Sequence, residues 1–124
     1  MSIEAFDNIL LEDTFVLSWH QASDSLTFNV LASLLQSHPE ASPPPNGEWA
    51  CYRPGAIAFS GVSAVRGLLP QESVIPTADP DGSVDYGCID ELSLVRPGEY
   101  RIAGEFGVVT VAASEVLLVL DAAA

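Results

Sequence analysis

From Phe15 onward, large apolar side chains recur at every second position, and turn-forming residues interrupt them about every eight to twelve residues. A period of two is the side-chain repeat of an extended strand, in which successive residues point to opposite faces; a helix repeats every 3.6 residues. In Phe15-Val16-Leu17-Ser18-Trp19-His20, the residues Phe15, Leu17 and Trp19 share one parity. After the polar stretch from Gln21 to Ser25, Leu26, Phe28 and Val30 alternate with Thr27 and Asn29. Two period-2 runs around a short polar loop predict a hairpin, with the aromatic-bearing face turned to the core.

The same pattern continues to the end of the chain. Asp79-Pro80-Asp81-Gly82 is a strong turn signal, followed by Val84, Tyr86 and Cys88 on one parity. Tyr100 and Ile102, a turn over Gly104-Glu105-Phe106-Gly107, and Val109 with Val111 give a further strand pair. Val116 to Leu120 is apolar on both parities, as expected of a central strand covered on both faces. At a sheet edge the same run would be an exposed apolar template. With 124 residues, 48% hydrophobic and 17% charged, the chain has enough apolar content for one packed domain over 1–124. The expectation is all-β: an antiparallel β-sandwich or a rolled sheet or barrel of about seven to nine short strands.

Two segments depart from the alternation. Ile3, Phe6, Ile9 and Leu10 stand at helical spacing and predict a short N-terminal helix within residues 2–11. Residues 37–47 contain Pro43-Pro44-Pro45, which lack amide donors and favour an extended polyproline conformation. That segment reads either as a stiff surface connection or as a ligand for a proline-binding groove.

Residues 48–61 align without gaps on 91–104, with identical Glu48/Glu91, Arg53/Arg96, Pro54/Pro97, Gly55/Gly98 and Gly61/Gly104. Proline sets φ for the first central position of a turn and glycine accepts the positive φ of the second, so each Pro-Gly predicts a reversal between strands. Arg53 and Arg96 precede these turns. With no lysine in the chain and only four arginines, each guanidinium is a candidate for a specific planar ion pair, and Glu48 and Glu91 are the nearest candidates for structural clamps across the strand.

Charge narrows the classes of partner. Seventeen Asp and Glu against four Arg give a net charge of −13, and residues 1–50 hold seven carboxylates and no Lys or Arg. Such a surface repels phosphate backbones and anionic lipid, so neither nucleic acid nor a membrane surface is an expected partner. The cysteines, Cys51 and Cys88, sit among Trp49, Tyr52, Tyr86 and Ile89 and read as small hydrophobes with reduced thiols. Met1-Ser2-Ile3-Glu4 has no basic region before an apolar run, which gives a cytoplasmic location as the default reading.

Chemistry-bearing motifs are sparse. His20 and His38 lie in no Gly-x-Ser-x-Gly elbow, and with Cys51 and Cys88 they form no Cys-x-x-Cys or His-x-x-x-His spacing. Asp79 to Asp85 carries carboxylates at alternate positions, as a calcium loop does, but its glycine arrives too early and no closing glutamate follows. Neither a catalytic role nor a cofactor or metal site is therefore expected.

The order of elements resembles that of small uncharacterised bacterial all-β proteins, some of immunity-protein type. The resemblance rests on Phe15-x-Leu17 with Leu26-x-Phe28-x-Val30, on Tyr52-Arg53-Pro54-Gly55-x-Ile57-x-Phe59-x-Gly61-Val62-x-x-Val65, and on Tyr100-x-Ile102 with Val109-x-Val111-x-Ala113. It implies an all-β fold and supplies no catalytic residues.

Three functional readings remain open. The first is a non-catalytic protein-binding module, an immunity- or antitoxin-like inhibitor of a basic partner steered in by the acidic surface. The second is a small-ligand binder or enzyme using a pocket lined by Trp19, Trp49, Tyr52, Tyr86 and Tyr100. The third is a self-associating structural protein, which leaves monomer or homodimer undecided.

Overall fold

The computed structural model describes residues 3, 6–39, 41, 51–80 and 82–121. Ten strands run through them: β1 (Phe15–Gln21), β2 (Ser25–Leu34), β3 (Cys51–Ser60), β4 (Ala64–Arg66), β5 (Thr77–Ala78), β6 (Val84–Asp85), β7 (Glu91–Arg96), β8 (Glu99–Gly104), β9 (Gly107–Ala112) and β10 (Glu115–Leu120). Every pairing is antiparallel. The first sheet has the order β1-β2-β3-β10, the second β4-β9-β8-β7, and β5 with β6 forms a small separate hairpin. The fold is thus the expected all-β, sandwich-like arrangement, without a closed barrel among the described residues.

The core is built where alternate residues of the two large sheets meet. Leu26, Phe28, Val30, Ala32 and Leu34 of β2, Ile57 and Phe59 of β3, and Ile102, Val109 and Val111 of β8 and β9 are buried. Aromatic contacts tie the layers together: Phe59 meets Tyr100 edge-on at 5.6 Å and Phe28 meets Phe106 at 4.7 Å. Such offset and edge-to-face arrangements each add about 1 kcal/mol beyond the area they bury. Phe106 reaches this core from the turn between β8 and β9, so the tip of that hairpin folds inward.

The first strand corrects the expected parity. Val16 pairs with Val30 and Ser18 with Asn29, which leaves Leu17 as the extra residue of a β-bulge. A bulge moves every later side chain to the opposite face. Val16 and Trp19, three apart, therefore both reach the core, while Leu17 is 39% exposed and Phe15 lies on the outer face, partly covered. Trp19 is fixed further by its indole N–H, which donates to the Leu69 carbonyl at 2.9 Å.

The N-terminal helix is not formed in the described part of residues 2–11. Phe6 and Ile9 make i→i−3 turn bonds to Ile3 and Phe6, and Asn8 then adopts a φ of +63°. A left-handed residue cannot continue a right-handed helix. Ile9 instead bridges to Leu34 at the end of β2, and a short 3-10 turn (Leu11–Asp13) leads into β1.

The last strand is a second correction. Among the described residues β10 pairs with β3 alone and is the outer strand of its sheet, so its double apolar parity does not mark a central position. At the opposite edge, β1 is covered at Val16 and at Trp19. Val16 N–H donates to the Gly87 carbonyl at 2.9 Å, Tyr86 N–H to that of Val16 at 2.8 Å, and Trp19 N–H to Gln71 Oε1 at 2.8 Å.

Candidate functional site

The outer face of the first sheet carries an apolar floor at its β1 end. Phe15 of β1 stands directly opposite Leu31 of β2, and Tyr52 of β3 brings its ring to 6.1 Å from that of Phe15. The bulge adds Leu17 to this face. Above the floor sits the β5–β6 hairpin, whose turn is closed by Asp79 N–H donating to the Ser83 carbonyl and Gly82 N–H to that of Asp79, both at 2.9 Å. Floor and hairpin enclose an open cleft of about 350 Å³, lined by Phe15, Leu17, Leu31, Tyr52, Asp79, Ser83, Val84 and Asp85.

Carboxylates line this cleft and its base. Asp85 is buried and accepts from the Gly87 N–H at 2.8 Å, which holds it in place. Asp79 Oδ2 accepts from the Ser83 hydroxyl at 3.2 Å. At the base of the floor, Asp13 Oδ2 accepts from the Tyr52 hydroxyl at 2.6 Å and from the Ser33 hydroxyl at 2.9 Å. The half-buried Cys88, bridged to Phe15, reports the same field: burial first, then Asp13, Asp85 and Asp90, push its thiol pKa up. Each of those influences disfavours the thiolate. The groove is thus greasy below and anionic at its lip, and among the described residues no three His, Cys, Asp or Glu are grouped so as to hold a metal ion.

A second shallow groove of about 340 Å³ lies at the other end of β1, between Trp19-His20-Gln21 and Leu68 to Glu72. His20 is exposed there, near Glu72. Trp19, although it borders this groove, and Tyr100 are buried in the core, and Tyr86 packs edge-on against Trp19 at 5.0 Å. Of the five aromatics expected to share a pocket, Tyr52 alone borders the acid-lipped cleft, and Trp49 lies outside the described residues.

The two Arg-Pro-Gly segments part company. Pro97-Gly98 makes the expected turn between β7 and β8, with Gly98 at φ +82°. Pro54-Gly55 makes no turn; it lies inside β3, with β2 on one side and β10 on the other. Pro54 accepts the Asp121 N–H at 2.8 Å but has no N–H to return, and Arg53 Nε–H donates to the Asp121 carbonyl at 2.9 Å in its place. The expected partner Glu48 lies outside the described residues. Arg96 meets Glu99 at 3.7 Å across its turn, whereas Glu91 is at the far end of β7, opposite Ala103, where it accepts from the Ser93 hydroxyl. The triple proline also lies outside the described residues.

The sequence alone does not single out the cleft, because its floor depends on the bulge at Leu17 and on a hairpin folding back over the sheet. The usable signal is the run Asp79 to Asp85, whose local pattern indicates only a turn. Comparisons with protein-family models, curated proteins and solved structures give no match. Among the described residues no helix is long and apolar enough to cross a membrane.

Proposed function

We propose that the chain is a non-catalytic binding module for a basic protein, of the immunity or antitoxin kind and acting in the cytoplasm, with the acid-lipped cleft on its first sheet as the contact site. The observation that carries this reading is the pairing of an apolar floor with an anionic lip on a chain of net charge −13. An arginine or lysine side chain matches that combination. Its methylenes lie against Phe15, Leu31 and the Tyr52 ring, and its charged end reaches Asp79 and Asp85. The wider acidic surface draws the partner in from a distance, an effect that salt screens.

The test is a titration of the full chain with acetyl-arginine methylamide and with its neutral isostere, acetyl-citrulline methylamide, followed by NMR. We expect saturable shifts confined to Leu17, Leu31 and Tyr52, with citrulline binding about fivefold more weakly, in line with a pair worth up to about 1 kcal/mol at an exposed lip. Leu17→Ser and Asp79→Asn should each weaken the arginine response. Equal responses to the two probes, or shifts scattered over the surface, would count against the reading.

A further inference from the structure

We infer that the outer edge of β10, with which no other described strand pairs, is a strand-addition site for an extended peptide whose apolar centre is flanked by basic residues. This surface is separate from the cleft, at the opposite side of the sheet from the covered edge of β1, and the inference does not depend on the cleft reading.

The four outer strands of the two large sheets differ in how they are protected. β1 is capped by residues 86–89 and by Gln71. β4 is only three residues long and ends in Arg66. β7 has a register irregularity between Leu94 and Arg96 and charged residues at both ends. Shortness, bulges, charge and cover are the usual means by which an edge strand avoids pairing with another chain. β10 has a regular six-residue register with β3, no proline and no basic residue, and Leu117 and Val119 on its outer face are 45% and 54% exposed.

The register also states which backbone groups point away from β3. Because Asp121 N–H bonds the Pro54 carbonyl, the odd residues of β10 direct their amides to β3. By the alternation of an antiparallel ladder, Val116, Leu118 and Leu120 direct theirs outward. Three N–H and three C=O groups thus form a ready template for a seven-residue strand opposite 115–121.

Charge selects the occupant. The template's apolar run is bounded by Glu115 and Asp121 on the same face. A second copy of this chain in the register that uses all six groups would set Glu115 against Asp121 at both ends, between two molecules of net charge −13 each. Like charges directly opposite destabilise a strand pair, and opposite charges stabilise it. A strand with Arg or Lys at both ends satisfies the backbone and the carboxylates together.

The test uses the full chain and two capped heptapeptides, Arg-Val-Thr-Val-Thr-Val-Arg and the same peptide with Glu at both ends. Hydrogen exchange should slow at the amides of Val116, Leu118 and Leu120 on adding the Arg-flanked peptide, which should bind at least about tenfold more tightly than its Glu-flanked counterpart. Leu118→Pro removes an outward N–H without touching the β3 ladder and should abolish this protection. If that variant does not fold, Val119→Lys, on the exposed face, should weaken the Arg-flanked peptide instead. Leu17→Ser should leave the protection unchanged. Equal binding of both peptides, protection elsewhere, or light scattering showing β10-dependent dimers would overturn the assignment.

Discussion

The same tripeptide, Arg-Pro-Gly, occurs at 53–55 and at 96–98, and its two copies do different structural work. At 96–98 it is local: Pro97 and Gly98 turn the chain between two neighbouring strands, and Gly98 takes the positive φ that such a turn requires. At 53–55 it is tertiary: the segment is extended, and its proline and glycine shape the seam between β3 and the last strand. Turn chemistry in a sequence marks permission for a backbone conformation, and neighbouring strands decide whether it is used. A proline survives in a middle strand here because its missing donor faces the point where β10 ends, and Arg53 supplies a replacement N–H to Asp121.

The sharpest way to break this contrast is at the glycines. A Cβ on Gly55 would sit 2.6 Å from the Val119 carbonyl oxygen and 3.2 Å from the Leu120 Cα, both backbone atoms of β10. Neither can rotate away, so the strand itself must move. Gly55→Ala is expected to cost about 3 kcal/mol, the upper range for overpacking a closed site. Thermal unfolding should show a fall in Tm of about 10 °C or more, and hydrogen exchange should show β10 loosened first. An unchanged Tm would mean that β10 does not press on β3 as described.

Gly98→Ala tests the other copy by a different mechanism. The nearest atom to a new Cβ is the Ala113 carbonyl at 3.9 Å, which is ordinary contact, so no clash arises. The cost comes from φ, at +82°, and amounts to about 1 kcal/mol. Gly98→Asn should recover part of it, because Asn tolerates the left-handed region, whereas Gly55→Asn should be at least as damaging as the alanine. A rescue by Asn at both sites would erase the distinction between them.

Much of the fold is legible in the amino-acid sequence. The hairpin around Gln21–Ser25, the turn after Asp79 and the strand pair from Tyr100 to Val111 follow from period and turn residues, because these are local properties. The rest depends on information that lies outside any short window. The bulge at Leu17 adds one residue to a run that looks perfectly alternating, so Phe15 and Leu17 leave the core and become the floor of the cleft. Val116 to Leu120 looks central because central strands are apolar on both parities, but strand order is set by long-range pairing. Asn8 defeats the N-terminal helix through one backbone torsion. The candidate site is correspondingly less readable than the fold, since it joins Phe15, Tyr52 and Asp79 from three distant segments.

The arginines give the smallest and finest discrimination. Arg96 is 70% exposed, and its contact with Glu99 at 3.7 Å is a long, solvent-screened pair. Arg96→Met should change stability by no more than about 0.5 kcal/mol, and whatever change appears should vanish in high salt. Arg53 does something that charge alone does not: its Nε–H fills the donor position that Pro54 leaves empty. Arg53→Met should therefore cost about 1 kcal/mol, the usual net value of a hydrogen bond. Because this acceptor is a neutral carbonyl, the part of the loss that the bond carries should persist in high salt. Denaturant unfolding of both variants at low and high salt reads the difference directly. Equal, salt-sensitive losses would return Arg53 to the role of a simple surface charge.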